Sequence, residues 1–290
     1  PSTPIARSPW PVDPMTHEDR HRGRHPGDDR LFAAKELPAL RAATADLSWL
    51  LSHGYAELSA LKLVGDRHEL TVRQRQAVAR CSCSDAARTA RAGARATRPQ
   101  LAGQPLAVDG LNCLIILESA LSHGVVLRGR DGALRDLASV HGTYRQVAET
   151  SFAIEMIGRH LHAGEHAPAT VSWYLDRPVA NSGRLRALLL ETAERRRWPW
   201  TCDLVANPDA VLVHHAGVVA TSDAWILDRC AAAGSRAQWF DLLASLLNGE
   251  HAPAPTSTGP VLAARPGLWL LDLGSDAPLR AEPSSGIGVQ

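Results

Sequence analysis

The apolar positions change rhythm near Pro99. Before it they recur at helical spacing. Leu40, Ala43, Leu47, Leu50 and Leu51 share a face, and Gly54 supplies the stop. A short apolar segment, 60–64, ends at Gly65. Thr71 and Gln74 then fit a capping box that opens a helix carrying Arg73 and Arg80. Ser84 is placed to cap one more helix, rich in Ala and Arg, running to Arg98. Residues 31–99 therefore read as a small all-helical module, basic at its C-terminal end.

After Pro99, short apolar runs alternate with helical ones. Strands are expected at 105–109, 170–176, 201–205, 218–223 and 238–242. Helices are expected at 112–123, 133–147, 152–161, 183–197, 224–233 and up to Asn248. A shorter one follows the Asn207-Pro208 start signal and ends at Gly217. This alternation predicts an α/β domain over 100–248, with a mainly parallel central sheet and helices on both faces. Residues 1–30 read as a disordered tail. Residues 249–290 read as a linker, an edge strand at 267–273 and a tail.

Composition adds little until it is divided. The chain has 290 residues, 45% of them hydrophobic, and a formal net charge of +1, which argues against wholesale disorder. The longest apolar run, 113–117, is too short to span a bilayer, and no charged-then-apolar leader opens the sequence. Five cysteines, an odd number, fit a reducing compartment better than a disulfide framework. A cytoplasmic protein without a membrane partner is the expectation. The near-zero total charge hides one block: residues 71–100 hold seven Arg against Asp85 alone, a net charge of +6. Arg73, Arg75 and Arg80 in this block are candidates for holding nucleic-acid backbone, the alternative being a solvated helix face.

Three of the expected strands run into Asp: Asp109, Asp176 and Asp223. In a parallel sheet these acids share one rim, and such folds bind ligands at the carboxyl ends of their strands. Clustered carboxylates repel unless a cation lies between them, and hard divalent cations prefer oxygen ligands. An Asp there also starts turns and caps helices. No dinucleotide or P-loop glycine motif and no nucleophile elbow is present.

Val108-Asp109-Gly110-Leu111-Asn112 resembles the opening signature of PIN-like nucleases of the NYN branch, with Leu111 in place of the usual aromatic. Val219-Ala-Thr-Ser-Asp223 resembles the motif closing that superfamily's fourth strand, and Trp173-Tyr-Leu-Asp176 its middle strand. The resemblance covers 104–247. The segments 58–67, 70–75 and 80–85 resemble the helical domain that precedes a PIN-like domain in an uncharacterised prokaryotic family.

The resemblance implies a Mg²⁺- or Mn²⁺-dependent ribonuclease. Asp109, Asp176 and Asp223 would carry the metal. Asn112 would position the loop or a water, and Ser222 would orient Asp223 or touch the metal's surroundings. A fourth acid is usual in the superfamily. Asp136 is the choice here, Asp131 stands close behind, and Asp209 and Asp228 are further candidates. Arg177, Asn181, Ser182, Arg184, Arg135 and Arg145 are the candidates for holding the nucleic acid, RNA in preference to DNA. The alternatives are a nucleic-acid-binding protein with a degenerate PIN-like domain and a hydrolase of small phosphoesters. The oligomeric state is not encoded in any of these features.

Overall fold

The computed structural model describes residues 21–138, 143–248 and 268–275. The readings of a tail over 1–20 and of a linker after 248 fall outside the described residues. The helical module comprises α1 (Asp28–Leu31), α2 (Leu37–Ser52), α3 (Glu57–Arg67), α4 (Val72–Cys81) and α5 (Asp85–Gly93). Thr71 and Gln74 form the expected capping box. Ser84 caps α5 by accepting the Ala87 N–H at 3.1 Å.

Two expectations in this region are corrected. Gly65 does not stop a segment but lies inside α3. A Cβ there would stand 2.5 Å from the Arg75 guanidinium, so glycine makes room for that side chain. Helix α5 ends at Gly93, not Arg98. Beyond it, the backbone exchanges hydrogen bonds with Trp239: Ala96 N–H donates to its carbonyl, and its N–H donates to Ala94. The pairing to a strand outweighs the local helical propensity.

The α/β part continues with β1 (Pro105–Asp109), α6 (Gly110–Leu121), β2 (Val125–Arg128), β3 (Leu134–Asp136), α7 (Thr150–Leu161), β4 (Thr170–Asp176) and α8 (Ser182–Arg196). It ends with β5 (Trp200–Val205), α9 (Pro208–Leu212), β6 (Val218–Ala220), α10 (Ala224–Cys230), β7 (Gln238–Phe240), α11 (Leu242–Asn248) and β8 (Trp269–Asp272). The central sheet has the order β5-β4-β1-β6-β7, and every pairing is parallel. Strand β1 shows why both faces are covered. Leu106 and Val108 point to the face packed by α6, α7, α8 and α11, whereas Ala107 points to the face packed by α9 and α10. The chain thus has a helical N-terminal part and an α/β part whose five-stranded parallel sheet is flanked by helices.

The described residues of the 133–147 stretch do not form the expected helix. Strands β2 and β3 are an antiparallel hairpin turning at Asp131-Gly132, with Gly132 at φ +78°, and β8 pairs with β2 in parallel. Thus β8 is an edge strand of this second sheet rather than of the central one. Its Val125, Leu127 and Leu271 share one core with Leu40, Leu47 and Val78 of the helical module. The module is therefore completed by strands that lie later in the chain. Residues 21–30 also depart from the tail reading. Arg22 donates to Glu118 at 2.6 Å, and the buried Asp28 accepts two bonds from Arg73. All five cysteines are free and buried. Among the described residues, no helix is long and apolar enough to cross a membrane.

Candidate active site at the acidic rim

Strand register sets the geometry of the rim. Asp109 pairs with Tyr174 of β4, and Val108 pairs with Ala220 of β6. Asp176 lies two residues beyond Tyr174, and Asp223 three beyond Ala220. Strands β4 and β6 flank β1 on opposite sides, so they are about 9–10 Å apart at the usual strand spacing. Asp176 and Asp223 therefore stand on either side of Asp109.

Asp109 is the buried member, 7% exposed. Its Oδ2 accepts the Thr221 hydroxyl at 2.8 Å, and the same hydroxyl oxygen accepts the Asp223 N–H at 3.1 Å. Burial pushes the Asp109 carboxyl up to about 7. The negative charges of Asp223 and Asp209 add to the shift, against the Thr221 hydroxyl and the Asn112 backbone. Burial also raises Asp209, with Asp223 and then Asp176 contributing. Asp176 is raised by burial. Asp209, in the first turn of α9, is thus the acid that lies within electrostatic reach of both flanking carboxylates.

The loop after β6 is held from two sides. Asn112 Oδ1 accepts the Ser222 N–H at 3.0 Å and the Ser222 hydroxyl at 3.2 Å. Arg135 Nε donates to the Ser222 carbonyl at 2.9 Å. Asp223 Oδ1 accepts the N–H groups of Trp225 and Ile226, capping α10 and fixing where its carboxylate stands. The turn role and the rim position therefore coexist in one residue. Thr221, which bridges Asp109 to Asp223, lies inside the Val219–Asp223 motif but was not singled out from the sequence. Its signal is a hydroxyl immediately after an all-apolar strand.

Asp136 is not on this rim. It sits in β3 of the second sheet, buried, and pairs with Arg80 at 3.1 Å. Asp131 is also elsewhere, buried between Arg91 and Arg135 at 2.7 Å from each. Burial alone would raise its carboxyl, but the two guanidinium groups hold it down at about 2. Asp228 pairs with Arg91, also at 2.7 Å.

The basic candidates divide in the same way. Arg73 pairs with Asp28, Arg75 with Asp66 and Arg80 with Asp136. Arg135 is buried with Asp131. These four hold the molecule together, and much of the +6 block is neutralised by acids from distant segments. Arg177, Arg184 and Arg145 are exposed. Arg177 donates to the Leu204 carbonyl, and Tyr144, beside Arg145, pairs with Ala180 before α8. Asn181, at φ +72°, donates its side-chain N–H to the Tyr144 carbonyl instead of capping α8. The Ser182 hydroxyl is buried and without a hydrogen-bond partner.

The donor set suits a hard cation, being oxygen throughout. Among the described residues, however, no group of three or more His, Cys, Asp or Glu side chains is gathered closely enough to hold one ion. Magnesium is commonly held by one or two carboxylates, with waters and substrate phosphate filling the other positions. Asp109 with Asp223 fits that sparse arrangement, and a three-carboxylate cage does not.

The fold and rim define the class: a parallel α/β domain with an acidic edge, fused to a helical module. Residues 98–244 match the family described as "Domain of unknown function (DUF5616)", and residues 39–93 match one described as "Protein of unknown function (DUF434)". The first match takes in half of the chain, and the chain belongs to that family. An uncharacterized protein of Methanocaldococcus jannaschii is 26% identical over 189 residues, covering 65% of this chain and 89% of its own length. No solved structure matches.

Proposed function

We propose that this protein is a divalent-metal-dependent nuclease that hydrolyses RNA at the acidic rim. The observation that carries the reading is a contrast between the acids of the interior and those of the rim. Asp28, Glu118, Asp131 and Asp136 each have an Arg ion pair. Asp109, Asp176, Asp209 and Asp223 have none among the described residues, although Asp109 is as secluded as the others and feels two further carboxylates. An unpaired buried carboxylate is costly, and a rim that keeps one is suited to receive a cation with a phosphate. The motif resemblance to PIN-like nucleases supports the same reading.

In this reading Asp109 and Asp223 hold Mg²⁺ or Mn²⁺, which when bound activates a water and offsets charge on the phosphoryl oxygen. Asp209 replaces Asp136 as the fourth acid. Asn112 and Thr221 hold the Asp109–Asp223 pair in place, while Arg145, Arg177 and Arg184 attract the phosphate backbone near α8. The test is cleavage of end-labelled single-stranded RNA with Mn²⁺. Asp109→Asn and Asp223→Asn should abolish it and Asp209→Asn should lower it. The exposed Asp203→Asn and the Arg80-paired Asp136→Asn should spare it. Equal cleavage by the wild type and by the first two variants would refute the proposal.

A further inference from the structure

The described tryptophans divide sharply. Trp173, Trp200 and Trp239 are buried, and Trp198 and Trp269 are half-buried. Trp49 is exposed but lies in the helical module, stacked on His53. Among the described residues, Trp225 is thus the one exposed tryptophan of the α/β part, 47% open. Its N–H is also one of the two that bond the Asp223 carboxylate, at 2.9 Å. Two trans-peptide steps separate the residues, so their Cα atoms are at most about 7.6 Å apart.

The indole stands on a fixed base. Ile226, Leu227 and Cys230 anchor α10 in the core beneath the sheet. Arg91 fastens its outer side, donating to the Ala224 carbonyl at 3.2 Å and to Asp228 at 2.7 Å. The Arg229 guanidinium lies over the Trp225 ring, 4.8 Å from its centroid. Arg229 is itself exposed and makes no ion pair among the described residues. A flat aromatic surface, with a cation free of ion pairs over one of its faces, thus stands next to the acidic rim. Proteins that bind single strands combine the same two elements, stacking for the base and positive charge for the backbone.

We propose that Trp225 and Arg229 form a subsite for one nucleotide of a single-stranded nucleic acid flanking the acidic rim, with the base stacked on the indole and a phosphate beside the guanidinium. This rests on the reading of the rim as a nuclease site and names its substrate as unpaired polynucleotide rather than small phosphoester.

The experiment uses the full chain and fluorescence anisotropy with EDTA present. Two labelled probes of equal length are compared, an oligouridylate and an abasic sugar–phosphate strand. The wild type should prefer the oligouridylate. Trp225→Ala should weaken that binding about tenfold, the value of one stacked base, and leave the abasic strand unchanged. Trp225→Phe should retain most of the preference, and Arg229→Ala should weaken both probes. Unaltered thermal unfolding checks that the surface variants remain folded. The proposal is overturned if the wild type does not distinguish the probes. It is equally overturned if Trp225→Ala weakens both alike or neither, which would leave Trp225 to a protein contact. Cleavage assays separate the two readings. Loss of base preference in Trp225→Ala without any metal-dependent cleavage keeps the subsite and removes the nuclease. Asp109-dependent cleavage with unaltered binding by Trp225→Ala keeps the nuclease and removes the subsite.

Discussion

Replacing Asp109 by Asn should make the protein more stable at pH 8, although it removes a residue from the proposed active site. The reason is the cost of the buried charge. In the unfolded chain the carboxyl has its ordinary value of 3.8, and in the folded protein burial and the neighbouring acids raise it to about 7. Below 3.8 both states are protonated and the group contributes nothing. Between the two values the folded state retains a proton that the unfolded chain has lost. Stability then falls by about 1.4 kcal/mol per pH unit. Above 7 both states are ionised and the full cost applies. The change from 3.8 to about 7, at 1.36 kcal/mol for each tenfold change in proton affinity, amounts to about 4 kcal/mol. Asparagine has nearly the same shape, accepts the Thr221 hydroxyl and carries no charge. Urea unfolding at pH 4, 6 and 8 should show the variant's advantage growing from near zero to about 4 kcal/mol. A variant equal to or less stable than the wild type at pH 8, or an advantage constant with pH, would refute the reasoning.

Two structural substitutions test the packing. Arg91→Ala should cost about 1.5–3 kcal/mol in urea unfolding, because it removes charged hydrogen bonds to Asp131 and Asp228, while Arg135 still pairs with Asp131. Gly158→Ala should lower stability by about 1–3 kcal/mol, since its new Cβ would fall 1.9 Å from the Trp198 ring. That outcome opposes the gain of about 1 kcal/mol expected from helix propensity alone, so thermal unfolding decides between packing and propensity by its sign.

Local chemistry made some elements readable before any tertiary information. The Thr71 and Gln74 capping box, the Ser84 cap, the Asn207-Pro208 start and strands β1 and β4 lie where the sequence places them, because their signals act within a few residues. Strand β3 falls within the stretch 133–147, whose spacing suggests a helix, and β2 answers to no expected element, although Asp131-Gly132 marks the turn between them. The hairpin's apolar residues Val126 and Leu134 face one core while Val125, Leu127 and Leu137 face another, which blurs a two-residue alternation. Strand β8 gains its partner across more than 130 residues, and no local pattern can name that partner.

The same division runs through the candidate site. The order of apolar runs determined by itself that Asp109, Asp176 and Asp223 belong to the carboxyl ends of parallel strands, since strand direction follows from the βαβ connections. Which acids share an electrostatic environment depends on strand order and helix placement. Those brought Asp209 within electrostatic reach of both Asp223 and Asp176, and gave Asp136 to Arg80. The fate of the arginine block was decided in the same way. Its charge is a property of the sequence, but its neutralisation comes from acids such as Asp28, Asp136, Asp131 and Asp228, 40 to 137 residues away. Periodicity and capping act along the chain and are visible in it. Charge compensation acts through space, and only the folded structure decides it.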